Sequence, residues 1–149
     1  MKKERLYKVL DANGKSCHDG SYKWSLPEHG MPGRWAEPIK NVKLCKNGYH
    51  LCHKQDLFHW LYATIYEAEY RGERIDSDNK ISVESVRLLR KVKNWNEKTA
   101  KLFAADCAEF VLPFFENRHP NDKRPRKAIQ AARDYANGRI TEEELGTAY

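Results

Sequence analysis

Thr64-Ile65-Tyr66-Glu67-Ala68-Glu69-Tyr70 alternates apolar and charged side chains almost residue by residue. Successive side chains of an extended backbone point to opposite faces, so Tyr66, Ala68 and Tyr70 share one face and Glu67 and Glu69 the other. That is the signature of a half-buried strand. Downstream the period changes. Ala100, Phe103, Cys107, Phe110, Val111 and Phe114 recur at three- and four-residue steps, the spacing of one apolar stripe on a helix. Strand-period sequence followed by helix-period sequence predicts an α+β fold: a small antiparallel or mixed sheet with a C-terminal helical hairpin packed on one face.

Toward the N-terminus, Leu6 to Leu10 predicts a strand closed by the turn Asp11-Ala12-Asn13-Gly14. A second strand is expected near Ser21 to Trp24. Leu26 to Pro38 holds three prolines and two glycines and reads as a long loop carrying Trp35, which is either a plug on the core or a binding contact. Val42 to Cys52 reads as a strand pair or bent strand pivoting at Asn47-Gly48, with a short helix over Asp56 to Tyr62. Arg71-Gly72-Glu73 is expected to end the alternating strand. Ile81 to Val92 is another strand, whose parity breaks at Leu88-Leu89 and predicts a bulge.

In the helical third, Asn96 is a good N-cap and Trp95 a staple onto the first turn. Pro113 should kink or end the first helix. Asp122 caps a second helix with inner residues Ala128, Ile129, Ala132 and Ala136 and a C-terminal Gly138. Thr141 to Glu144 forms a capping box for a last short helix. The 149 residues are the size of one domain, here 1–149, strand-rich over 1–93 and helical over 94–149.

Composition narrows the function classes. Seventeen aromatics (8 Tyr, 5 Phe, 4 Trp) are too many for a disordered chain. No run of 18 apolar residues is present, so no membrane association is expected. The charged start Met1-Lys2-Lys3-Glu4-Arg5 lacks the apolar stretch of a signal peptide, and four reduced cysteines in the cytoplasm are expected. Net charge is +6, with 13 Lys and Arg against 6 Asp and Glu from Lys80 to Arg133, which suits an acidic protein surface or a nucleic-acid-containing complex.

Cys45, His50, Cys52 and His53 form the densest cluster of reactive side chains, and thiolate with imidazole is zinc chemistry. Their spacing does not match a knuckle, with Cys17-His18 needed from another strand, so half-buried strand residues are the expectation and no metal is assigned. Cys45 or Cys52 beside a histidine would be a candidate nucleophile. Glu67 and Glu69, roughly 6.5–7 Å apart along the strand, suit either acid–base work or a solvent face. Lys123, Arg124, Arg126 and Lys127 fall in the first turns of a helix, where the macrodipole disfavours cations, with Arg118 just before. Free backbone amides and cations together make an anion-binding site, so Arg118, Lys123, Arg124, Arg126 and Lys127 are the first binding candidates and Trp35 the second.

Four blocks carry a resemblance: Lys43-Leu44-Cys45-Lys46-Asn47-Gly48-Tyr49-His50-Leu51-Cys52, Tyr66 to Glu73, Phe103 to Glu109 and Arg124 to Arg133. Together they resemble a family of proteins from bacterial genomes, phages and prophages, and the last two also resemble a helical segment of bacterial immunity proteins. The resemblance implies a mobile-element or defence-related setting. A weaker similarity is to ADP-ribosyltransferases, in which Gly48-Tyr49-His50 before a short helix and Glu84 late in the sheet would stand for the catalytic elements. It implies NAD chemistry at Tyr49, His50 and Glu84, although the N-terminal histidine or arginine of that family has no counterpart near Tyr7 to Leu10. The reading favours a small basic binding protein without a cofactor, inhibiting a host defence complex or nucleic-acid-associated protein; the alternatives are an NAD-using enzyme and a zinc protein.

Overall fold

The computed structural model describes residues 4–17 and 21–147. The chain divides into two compact units, Met1–Lys93 and Asn94–Tyr149, and together they give the α+β class.

In the first unit four antiparallel strands, β1 (Leu6–Leu10), β2 (Tyr49–His53), β3 (Thr64–Asp76) and β4 (Ile81–Lys91), close into a barrel in the order β1-β2-β4-β3. Closure pairs β1 on both edges, with β3 along its whole length and with β2 at Leu6 and Tyr7, and every β1 side chain but the half-buried Lys8 is buried. Leu10, Ile81, Val83, Val86 and Leu88 form the fully buried centre.

The alternating stretch behaves as its period requires. Tyr66 and Ala68 are buried, while Glu67 and Glu69 face outward and pair with Arg90 and Arg87 of β4. The strand does not stop at Arg71-Gly72-Glu73. Gly72 takes φ +81°, which glycine adopts without steric cost, and the Glu84 carboxylate accepts from the Glu73 amide at 2.9 Å, so β3 bulges and continues to Asp76. A second register shift sets Leu89 out of the ladder, as the broken parity predicted.

Other expectations are corrected. Ser21 to Trp24 makes no strand: an isolated bridge joins Lys15 to Lys23, and Trp24 donates its amide to Gly14, so the segment folds back on the Asp11–Gly14 turn. Val42 to Asn47 is a turn closed by mutual Lys43 and Asn47 backbone bonds, and only Tyr49 to His53 is strand. The short helix is a 3-10 helix over Lys54–His59. The proline-rich segment is a loop, but an anchored one. Beyond the end of β2, the amides of Gly33, Ala36 and Ile39 donate to the β4 carbonyls of Leu88, Val86 and Glu84. Those acceptors would otherwise form an open edge. Gly33 lies so close to the Ser25 carbonyl that a Cβ could not be accommodated without backbone movement.

Arg74 ties the residues before β1 to the end of β3, bonding Glu4 at 2.7 Å and Asp76 at 2.6 Å. Its guanidinium holds both carboxyls below the usual carboxylate range. Depressed folded-state values add stability above the unfolded pKa that is lost as pH falls through the folded one. The urea midpoint of the strand unit is therefore expected to fall between about pH 5 and pH 3, and Arg74→Met should flatten that fall.

The second unit holds α1 (Glu97–Arg118), α2 (Arg124–Ala136) and α3 (Glu142–Thr147). Asn96 and Thr99 exchange side-chain and backbone bonds in a capping box, a device worth about 1 kcal/mol. Trp95 reaches past the first turn to the Phe103 ring, at 6.0 Å. Pro113 neither ends α1 nor leaves a buried polar group unpaired: it is exposed, as is Glu109, whose carbonyl loses a donor to the proline and can bond water. Asp122 caps α2 from one position earlier than a regular N-cap, its carboxylate accepting from the Arg124 amide at 3.0 Å. Gly138 ends α2 at φ +70°, and Thr141 and Glu144 form the expected capping box.

The predicted apolar stripe of α1 is not its buried face. Ala105 and Leu112 are the buried residues of the helix, and Ala131 is that of α2. The stripe lies on the opposite side of α1, uncovered within the helical unit. The helix has two apolar faces, and small residues (Ala105, Ala108, Ala131) let α1 and α2 approach closely, whereas the phenylalanine face is too bulky for that contact.

Candidate functional site

A candidate surface is found in each unit. In the strand unit a cavity of about 710 Å³ opens between β1, β2 and a wall made by Ser16, Cys17, Tyr22, Trp24, Cys45 and Gly48. That lies within the size range of small-molecule pockets. Tyr22, Trp24 and Tyr49 meet edge-to-face, with ring centroids 5.0–5.4 Å apart, and form one wall. Lys8 lies 5.0 Å from the Trp24 ring centre and donates to the His50 carbonyl at 3.0 Å. Lys80 lies 5.5 Å from the Trp60 ring centre and contacts the Cys45 sulfur at 2.7 Å. Two ammonium groups, each placed by a tryptophan, thus border an aromatic hollow.

Burial pushes the Cys52 thiol up to about 11, and the Cys17 thiol and Tyr49 hydroxyl are also raised, chiefly by burial. These groups stay protonated at neutral pH. Cys52 is a poor nucleophile there, its sulfur directed to the Tyr7 carbonyl at 3.8 Å.

The predicted reactive residues are only partly brought together. Cys45, Tyr49, His50 and Cys52 line the cavity, while His53 lies 3.5 Å from Glu4. Among the described residues no group of three or more His, Cys, Asp or Glu is placed to hold a metal ion. Glu84 does not line the cavity with Tyr49 and His50, because its carboxylate is engaged at the Gly72-Glu73 bulge. Glu67 and Glu69 are each held by an arginine. Trp35 is half-buried between the guanidinium groups of Arg71 and Arg87, at 4.6 and 4.9 Å. His18 lies outside the described residues. The cavity residues missed in the sequence, Lys8, Tyr22, Trp24, Trp60 and Lys80, are scattered over more than seventy positions and carry no local motif.

In the helical unit the predicted cations divide into two groups. Arg124 pairs with Asp122, whose carboxyl it holds down to about 2, and Arg126 bridges to Glu116 of α1 with two bonds at 2.7 and 2.9 Å. Arg133 likewise clamps Asp106 and Glu109. These arginines fasten α2 and its cap. Arg118, Lys123 and Lys127 reach solvent. Nor does the basic excess belong to this unit. Residues 94–149 hold 9 Lys and Arg against 9 Asp and Glu, and residues 1–93 hold 18 against 12. The Lys80–Arg133 window takes in the cations of β4 and leaves out the glutamates of α3.

What the helical unit does present is apolar. Phe103, Phe110, Val111 and Phe114 form an exposed ridge along α1, with Phe110 at 81% and Phe114 at 71% exposure. Arg118 follows Phe114 by one turn on the same side. An exposed row of large apolar side chains marks an interaction surface. Residues 90–148 match the model of a family described as "Imm-5 like putative immunity protein". That match contains the whole helical unit up to residue 148 and hence the ridge. No curated protein and no solved structure matches the chain. No helix among the described residues is long and apolar enough to cross a membrane.

Proposed function

We propose that this chain is a small protein-binding inhibitor of the immunity type, which silences a partner protein by docking the α1 ridge into an apolar groove with an acidic rim. One observation carries the reading: Phe103, Phe110, Val111 and Phe114 stand exposed on a helix whose other face is already packed, within the segment that matches the immunity-protein model. Arg118, Lys123 and Lys127 provide the charge that meets the rim. Phenylalanine inserted into a pocket is a common interface anchor, and surrounding cations speed encounter more than they add affinity. The setting is cytoplasmic, in keeping with thiols that are all free.

The test is co-expression with toxic effector proteins of the same genome. One effector that is lethal alone should be tolerated with this chain, and the two should co-elute as a stoichiometric complex in which the effector's activity is lost. Absence of rescue by every effector, or rescue without a complex, would overturn the reading. Binding to a nucleic-acid-containing complex through phosphates would weaken steeply with salt, whereas ridge docking should keep most of its affinity between 50 and 200 mM salt and lose mainly association rate.

A further inference from the structure

Cys45 and Lys80 are far apart in the chain and both line the rim of the strand-unit cavity. Each is held in place. Cys45 sits at φ +60° in the turn closed by Lys43 and Asn47, and the Asn47 side chain anchors that turn to the Lys40 and Asn41 carbonyls. Lys80 immediately precedes β4 and lies beside Trp60, whose ring nitrogen is fixed on the Asn79 carbonyl at 2.8 Å. Between them the ammonium nitrogen lies 2.7 Å from the sulfur. That is the short end of the range for nitrogen and oxygen, and sulfur is the larger atom. By comparison, the Cys17 and Cys52 sulfurs lie 3.4 Å and 3.8 Å from the carbonyl oxygens of Val9 and Tyr7. At this separation a single oxygen atom can join nitrogen and sulfur without movement of either backbone.

We infer that Cys45 and Lys80 form a redox-sensitive covalent bridge, Cys–S–O–NH–Lys, across the cavity rim. Cys45 is exposed to small oxidants, whereas Cys52 is buried. Hydrogen peroxide first takes two electrons from sulfur: an S–O bond forms, the peroxide O–O bond breaks, and the products are the sulfenic acid and water. A second peroxide takes two electrons from nitrogen. The N–O bond forms to the sulfenic oxygen, and two water molecules and the ammonium's extra proton leave. Two dithiol molecules, each oxidised to a disulfide with the release of two electrons and two protons, return the thiol, the amine and one water. The bridge closes a loop from residue 45 to residue 80 and fastens the 40–48 turn to the start of β4, so oxidation stiffens the cavity rim and reduction frees it.

The experiment treats the full chain with hydrogen peroxide and reads intact mass and tryptic peptides before and after dithiothreitol. The expected product is heavier by one oxygen less two hydrogens, yields a joined Cys45–Lys80 peptide uncut at Lys80, and reverts with dithiothreitol. Its melting temperature should exceed that of the reduced chain by on the order of 10 °C, because a cross-link restricts the unfolded chain. Cys45→Ser and Lys80→Arg should each abolish the product. A loss of two hydrogens alone would mean a disulfide. Whole oxygens on Cys45 with Lys80 still cleaved would mean ordinary thiol oxidation. Either result, or no change in mass, overturns the inference.

Discussion

Replacing both Phe110 and Phe114 by Asp is expected to weaken partner binding at least about 100-fold while leaving the helical unit folded. Anchor residues at an interface each contribute on the order of 2 kcal/mol or more, and two carboxylates placed in an apolar groove with an acidic rim add desolvation and repulsion. The same side chains contribute little to the fold of the unit, because they are exposed at 81% and 71% on the face of α1 away from α2. Circular dichroism and the melting temperature should stay near those of the unchanged chain. The contrasting variant is Leu112→Ala. Leu112 is buried, so its truncation should cost about 2–5 kcal/mol of stability and affect binding only through unfolding. Binding that survives Phe110→Asp with Phe114→Asp would remove the ridge from the proposed function. Charge reversal at Arg124 and Arg126 would be a poorer test, because it also breaks the pairs with Asp122 and Glu116.

The separation between fold and interface on α1 shows where sequence reading works and where it stops. Periodicity found the phenylalanine stripe, and the cap at Asn96 and the terminator at Gly138 came from local chemistry that a few neighbouring residues complete. Periodicity cannot say which of two apolar faces is covered. Ala105 and Leu112 form the buried face, with Ala108 half-buried beside them, because the small alanines permit a close helix approach, a choice made by the partner helix. The same limit applies in the barrel. Tyr66, Ala68 and Tyr70 were legible as one face, whereas the continuation of β3 past Gly72 depends on Glu84, more than ten residues away. The cavity was the least legible feature, because Lys8, Trp24, Trp60 and Lys80 become neighbours only when the barrel closes. Charge misled for a related reason: a window drawn on the sequence crossed the boundary between the two units.

Trp24→Ala is expected to be the most damaging single change in the strand unit, at about 3–5 kcal/mol. Trp24 is 5% exposed and belongs to the core cluster with Leu10, Leu51 and Val83. Its ring takes edge contacts from Tyr22 and Tyr49 at 5.0 and 5.4 Å, its nitrogen bonds the Ser16 hydroxyl at 3.1 Å, and Lys8 rests on its face. No strand holds the segment around it, which is joined to its neighbours by an isolated bridge and a few backbone bonds. Removing the ring takes away the main apolar anchor of that segment and one wall of the cavity together. Each kcal/mol corresponds to about 4–8 °C for a unit of this size, so the melting temperature should fall by more than about 12 °C. Hydrogen exchange at Val83, Val86 and Leu88 should quicken with it. Trp24→Phe keeps an aromatic ring in the cluster and gives up only the bond to Ser16 and part of the buried area. Its cost should be nearer 1 kcal/mol, the usual net worth of one such hydrogen bond. Equal losses from the two variants would mean that the Ser16 bond, and not ring packing, secures the segment.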